Sequence, residues 1–187
     1  MVVSCLCSLH GCGQRGETIK TIPATEIAKE LLILKSELGR WHYNAKPFNG
    51  FSVRYHDNGQ LSEKIGFYEG KKEGVAKKWF ANGQLRSQQH YLSNKLHGDQ
   101  ETWWPSGEIA TSSTMVLGVV DGDQKNWYRS GQLSRVSRFT NGKQEGLQQA
   151  WRENGKLYAN YEAKNGRVFG LKRSNSCYGL EDENVLY

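Results

Sequence analysis

GVAKKWFANGQLRSQQHYLSNKLHG (Gly74–Gly98) is the stretch on which the fold is read. It opens and closes on glycines 24 residues apart, and the interval continues both ways through Gly50, Gly74, Gly98, Gly122, Gly146 and Gly170. A second series, Gly59, Gly83, Gly107, Gly131 and Gly155, keeps the same interval. A fixed period of this size marks a repeat architecture, in which each unit touches mainly its neighbours and function lies on an extended surface.

Laid on one another, the units align. The second glycine series is preceded by Tyr55–Gly59 (YHDNG), Trp79–Gly83 (WFANG), Trp103–Gly107 (WWPSG), Trp127–Gly131 (WYRSG) and Trp151–Gly155 (WRENG). Two residues after each glycine stands Leu61, Leu85, Ile109, Leu133 or Leu157. Four residues before the first series stand Gly70, Asn94, Gly118, Gly142 and Gly166, types that accept a left-handed backbone. Each unit thus has two turns separated by segments of roughly eight residues, which suits strands better than helices. Pro105 fixes φ near −65° and excludes a type I′ turn at Pro105-Ser106-Gly107; a type I turn closed by a left-handed glycine bulge fits. The expected fold is all-β: a single-layer, twisted antiparallel meander of 24-residue β-hairpin repeats. Two strands per unit advance the sheet about 10 Å per repeat, or about 50 Å over five.

Strand parity assigns faces. Tyr55, Trp79, Trp103, Trp127 and Trp151 form one column, set beside the Leu61 column and read as the available core of a one-layer sheet. Phe67, Tyr91, Met115, Phe139 and Ala163 form another, with polar positions between. The order along the chain is a polar tether over 1–24, a degenerate capping hairpin or a helix over 25–50, five repeats over 51–172 and a cap or tail over 173–187. Ile27, Leu31, Leu34 and Leu38 have helical spacing. The favoured reading is a strand at Leu31–Leu34 turning at Gly39 into Trp41-His42-Tyr43.

Of 187 residues 37% are apolar, the mean hydropathy is −0.71, and six Trp and nine Tyr argue against disorder. No apolar run of 18 residues is present to span a membrane as a helix. The four cysteines (Cys5, Cys7, Cys12, Cys177) leave the repeats free of any disulfide or metal framework.

The units resemble bacterial MORN (membrane occupation and recognition nexus) repeats, whose signature is an aromatic, Asn-Gly, an aliphatic, then N-G-K-x-x-G. Asn141–Gly146 and Glu69–Gly74 carry it, and the resemblance covers about residues 40–172. Leu117–Gly122 lacks the lysine of its counterparts, which interrupts a basic stripe. The resemblance implies a non-enzymatic scaffold that binds a protein partner or a membrane surface. Tyr161–Leu171 and Cys177–Glu183 resemble the ends of Bacteroidetes-group lipoproteins, and Cys12, in a lipobox-like setting, is the candidate lipidation site. That implies a membrane-anchored envelope protein. The alternatives are a cytoplasmic antitoxin-like binder and a direct binder of anionic lipid.

The candidate binding surface is Phe80, Trp104 and Tyr128, read as standing opposite the main column, with Lys71, Lys72, Lys78 and Arg54. Stacking aromatics bind sugars, peptides or bases, and basic surfaces attract anionic headgroups. No nucleic-acid motif is present, so nucleic acid is not an expected partner. No catalytic residue, metal site or cofactor is expected: His42, His56, His90 and His97 share no column, and Cys177 has no evident base.

Overall fold

The computed structural model describes residues 20–171. Five hairpins follow one another in a single open sheet: Gly50–Tyr55 with Leu61–Tyr68, Lys71–Trp79 with Leu85–Leu92, Gly98–Trp103 with Ile109–Val116, Gly122–Trp127 with Leu133–Thr140, and Gly146–Trp151 with Leu157–Lys164. Arg167–Leu171 adds a last antiparallel strand. No α-helix occurs among the described residues.

Each hairpin closes with the same four-residue turn. The N–H of Gly59 donates to the His56 carbonyl at 2.9 Å and the N–H of His56 to the Gln60 carbonyl at 2.8 Å; the pattern recurs at Phe80, Trp104, Tyr128 and Arg152. The glycine is left-handed in all five, with φ from 80° to 106°, and the register shifts by one residue just before the aromatic. This is the type I turn and glycine bulge that Pro105 requires. The Asn of Asn-Gly adds a function: Asn58 Oδ1 accepts from the Gln60 N–H, and Asn58 Nδ2 donates to the Ala81 carbonyl of the next turn at 2.7 Å.

The turns between hairpins are of another kind. Two consecutive residues have positive φ: Glu69-Gly70, Ser93-Asn94, Leu117-Gly118, Asn141-Gly142 and Asn165-Gly166, the geometry of a type I′ turn. A non-glycine first residue is costly there, and the preceding unit supplies the compensation. The residue before each glycine of the other series (Gly50, Gly74, Gly98, Gly122 and Gly146) accepts the first turn N–H through its side chain: Asn49 from Glu69, Glu73 from Ser93, His97 from Leu117, Asp121 from Asn141 and Glu145 from Asn165, at 2.6–3.3 Å. The carbonyl one residue earlier accepts the next N–H: Phe48 from Gly70, Lys72 from Asn94, Leu96 from Gly118 and Val120 from Gly142.

One face of the sheet, here the front, carries Ser52, Ile65, Phe67, Ala76 and Gln100. The tryptophan column is half-buried and Tyr55 is 57% exposed, so the reading of that column as the core is corrected. The buried column is Ser52, Ala76, Gln100 and Gln148. The left-handed glycines Gly98 and Gly146 open the ladder beside it, and the glutamines close the gap: Gln148 Nε2 donates to the Arg138 carbonyl at 2.9 Å, and its Oε1 accepts the Arg138 N–H.

The N-terminal segment wraps the first hairpin. Ile22 lies behind Gly66, where a Cβ would meet its Cδ1 at 2.6 Å and the Glu73 carbonyl at 2.7 Å. Glu26–Ala28 then pairs parallel with Gly50–Tyr55, a departure from the antiparallel pattern. Ile33–Lys35, Arg40–Tyr43 and Lys46–Pro47 form a separate three-stranded sheet. Within 25–50, Ile33–Lys35 turns at left-handed Gly39 into Arg40–Tyr43, so the segment holds a hairpin and not an α-helix, in a sheet of its own beside the ladder. Leu31, Leu34 and Leu38 stay exposed, because the apolar spacing has no surface to bury against; Leu32 is buried instead. Leu32 and Phe48 close over Ile65, Phe67 and Ala76, with Ile27, Trp41, Tyr43 and Tyr91 packed around them.

Glu63 is buried beneath this lid between Lys29 and Lys78, the latter at 3.1 Å. Burial raises its pKa, but the hydrogen bonds and charges of the two lysines outweigh that and hold it below the usual carboxylate value. Its stabilisation is present above the unfolded carboxylate pKa and is lost as the pH falls through the lower folded value. Glu63→Gln is therefore expected to lower stability at neutral pH by roughly 1–3 kcal/mol and to reduce the loss on acidification to pH 3, measured by urea unfolding. Asp121→Ala and Glu145→Ala, which remove turn acceptors, are each expected to lower the urea midpoint, costing about 0.5–1.5 kcal/mol. Arg152→Ala, at an exposed turn, is expected to change little.

Candidate functional site

Beyond the N-terminal lid the front face is open. Lys78, Ser87, Gln89, Thr102, Thr111 and Asn126, all of one parity, floor a groove of about 780 Å³ across the second to fourth hairpins. Phe80, Trp103, Trp104 and Trp127 supply its aromatic walls. Strand parity alone sets Phe80 and Trp104 opposite the tryptophan column; the groove brings them together. The cause is the register shift at Thr102/Trp103 and at Asn126/Trp127, which breaks the alternation.

The rings are not equivalent. Arg86 lies over Phe80 at 5.6 Å and Arg129 over Trp104 at 5.1 Å. Trp103 and Trp127, one repeat apart, have no ring or cation partner among the described residues. The Trp104 Nε1–H is buried without an acceptor among the described residues, whereas Tyr128 one repeat on donates its hydroxyl to the Trp151 carbonyl at 2.9 Å, and His56 Nε2 donates to that of Trp79 at 2.9 Å. Arg86 and Arg129 are exposed and form no ion pair among the described residues. No carboxylate lines the groove.

The remaining sequence candidates are scattered. Tyr128 is absent from the groove lining, and burial raises its phenol pKa. Lys78 lines the groove but is paired with Glu63. Lys72 lies over Tyr91 at 5.1 Å, and its pKa is pushed down by burial. Arg54 pairs with Glu30 at 2.8 Å, and Lys71 opens the strand after the first inter-hairpin turn. Trp41, a weaker aromatic candidate, packs edge-on against Phe67 at 6.2 Å. Cys12 and Cys177 lie outside the described residues. No cluster of His, Cys, Asp or Glu suited to a metal occurs among the described residues. Sequence reading missed Trp103 and Trp127 as groove residues; the aromatic pair Trp103-Trp104 beside a bulge was the available signal.

The inter-hairpin turn of the third hairpin also departs from the others. Val116, Leu117 and Val119 are 43–50% exposed, and Leu117 has φ of 51°, where the neighbouring turns carry Lys95 and Lys143.

Residues 72–92, the second hairpin, match the family described as MORN repeat variant. No curated protein matches the chain. The matched hairpin shares its turn bonds and bulge with the other four, so the chain is a repeat scaffold of MORN-like hairpins around one detected MORN repeat.

Burial separates the core ring of Phe67, 1% exposed, from the groove rings. Phe67→Ala is expected to cost about 3–5 kcal/mol. Trp127→Ala, half-buried, should cost about half as much and leave a cooperative unfolding transition, measured by circular dichroism in urea.

Proposed function

We propose that this chain is a non-enzymatic binding scaffold and that the front-face groove is its recognition surface for an extended partner. The observation that supports this reading is the pair Trp103 and Trp127: two aromatic faces without a ring or cation partner among the described residues, one repeat apart, in a groove rimmed by arginines that form no ion pair among those residues. Exposed aromatics next to Arg are the residue types that carry binding energy at interfaces. The sheet supplies rigidity, since each turn is bonded to the unit before it. The non-enzymatic part follows the binding character of MORN repeats and the scatter of the titratable groups. A protein segment is the partner proposed here. Lipid anchoring at Cys12 in a cell envelope is a separate proposal from the sequence, and mass spectrometry of the native protein tests it: an unmodified Cys12 in a soluble fraction would end it.

A photo-crosslinking amino acid placed at Ser134, on the groove rim, and at Lys125, on the back face, tests the groove in native cells. Crosslinks from Ser134 to a defined partner, absent from Lys125, are expected. Crosslinks from Lys125 alone would show that the other face binds.

A further inference from the structure

We infer that the groove holds a proline-rich segment in the polyproline II conformation, with acidic residues placed for Arg86 and Arg129. The inference rests on the groove being the recognition surface, and it names the chemistry of the partner.

The first argument is the direction of the groove. It crosses the strands of successive hairpins, whose main-chain groups are used in the ladder. A ligand lying across them therefore cannot add as a β-strand and must be held by side chains. A polyproline II segment suits this, because it has no internal hydrogen bonds and its carbonyls are free to accept. Its preformed backbone also lowers the entropy lost on docking in an aromatic-lined groove.

The second argument is the step. Trp103 and Trp127 are equivalent positions of adjacent hairpins, two strands apart, which is about 9.6 Å at ordinary strand spacing. One polyproline II turn of three residues advances about 9.3 Å. Every third ligand residue therefore meets an equivalent ring. An extended β-strand repeats its facing side chain about every 6.6 Å and falls out of step after one repeat.

The third argument is the complement of donors and charge. Gln89 and Asn126 line the groove with side-chain donors, and Trp104 Nε1–H is a donor with no acceptor among the described residues. The charged groups of the lining are Lys78, Arg86 and Arg129, all cationic, and Lys78 is already neutralised by Glu63. The two arginines are left to select acidic residues.

The test titrates the full chain with a synthetic peptide of about nine residues, three polyproline II turns, built on Pro-Pro-Glu. Controls are a Gly-Ser-Glu peptide of equal length and charge and an oligogalacturonate, an acidic sugar chain. Tryptophan emission and calorimetry report binding. The Pro-Pro-Glu peptide is expected to bind about tenfold tighter than the flexible peptide, because preorganisation lowers the cost of docking. Trp127→Ala and the exposed Arg129→Gln should each weaken it several-fold, and the back-face Lys125→Ala should not. Equal binding of the flexible peptide, tighter binding of the sugar, or indifference to Arg129→Gln would overturn the inference. Absence of peptide binding while the Ser134 crosslink persists in cells would overturn the polyproline assignment alone. Loss of both would remove the groove reading with it.

Discussion

The structure depends on one bond repeated five times: a side-chain acceptor, placed just before the left-handed glycine that opens each hairpin region (Gly50, Gly74, Gly98, Gly122 or Gly146), takes the first N–H of the turn that ends the same hairpin. A one-layer sheet has no second layer to fix where one hairpin sits on the next. Its inter-hairpin turns also require two left-handed residues, an unfavourable geometry for Glu69, Ser93 or Leu117. The acceptor side chain and the adjacent carbonyl hold that turn from two sides. The left-handed glycine that opens the hairpin provides the freedom, and the residue before it provides the anchor. Acceptors as different as Asn49, His97 and Glu145 occupy the position, because only a lone pair at the right distance is needed.

This locking sets the surface. Equivalent turns keep neighbouring hairpins in one register, so the rings beside each bulge recur at a constant step. The same bulges interrupt the side-chain alternation and bring Trp103 and Trp104 to one groove. At the opposite ends of these strands, beside Gly98 and Gly146, Gln100 and Gln148 fill the open ladder with their amides. A thin sheet is thus held by polar bonds along its length. The compact apolar cluster among the described residues lies where the N-terminal segment folds over Ile65 and Phe67. That lid closes the first hairpin and leaves the next three open, which places the groove.

Much of the fold was legible in the sequence. The glycine interval gave the unit, Pro105 gave the turn type, and the pairing of Trp79 with Leu85 and Trp103 with Ile109 followed from spacing alone. The faces were less legible. Strand parity alternates only while the ladder is regular, and a bulge just before each aromatic breaks it, so parity did not announce that Phe80 and Trp104 line one groove with Trp103 and Trp127. The acceptor row was invisible because Asn, Glu, His, Asp and Glu share a lone pair and not a residue type. In the segment before Gly50 two signals competed: Leu31, Leu34 and Leu38 have helical spacing but stay exposed, and the turn at Gly39 with Trp41-His42-Tyr43 after it matches the observed antiparallel pair. Of the candidate basic residues, Arg54, Lys72 and Lys78 are engaged with Glu30, Tyr91 and Glu63, pairings between distant segments that no local pattern announces.

Amide hydrogen exchange at the inter-hairpin turns addresses the central claim most directly. If each unit is locked to the turn that follows, the N–H groups of Ser93, Asn94, Leu117, Gly118, Asn141 and Gly142 will be protected nearly as well as strand amides, although most of these residues are exposed. Exchange at the rate of unbonded turns, with protection confined to the strands, would contradict it.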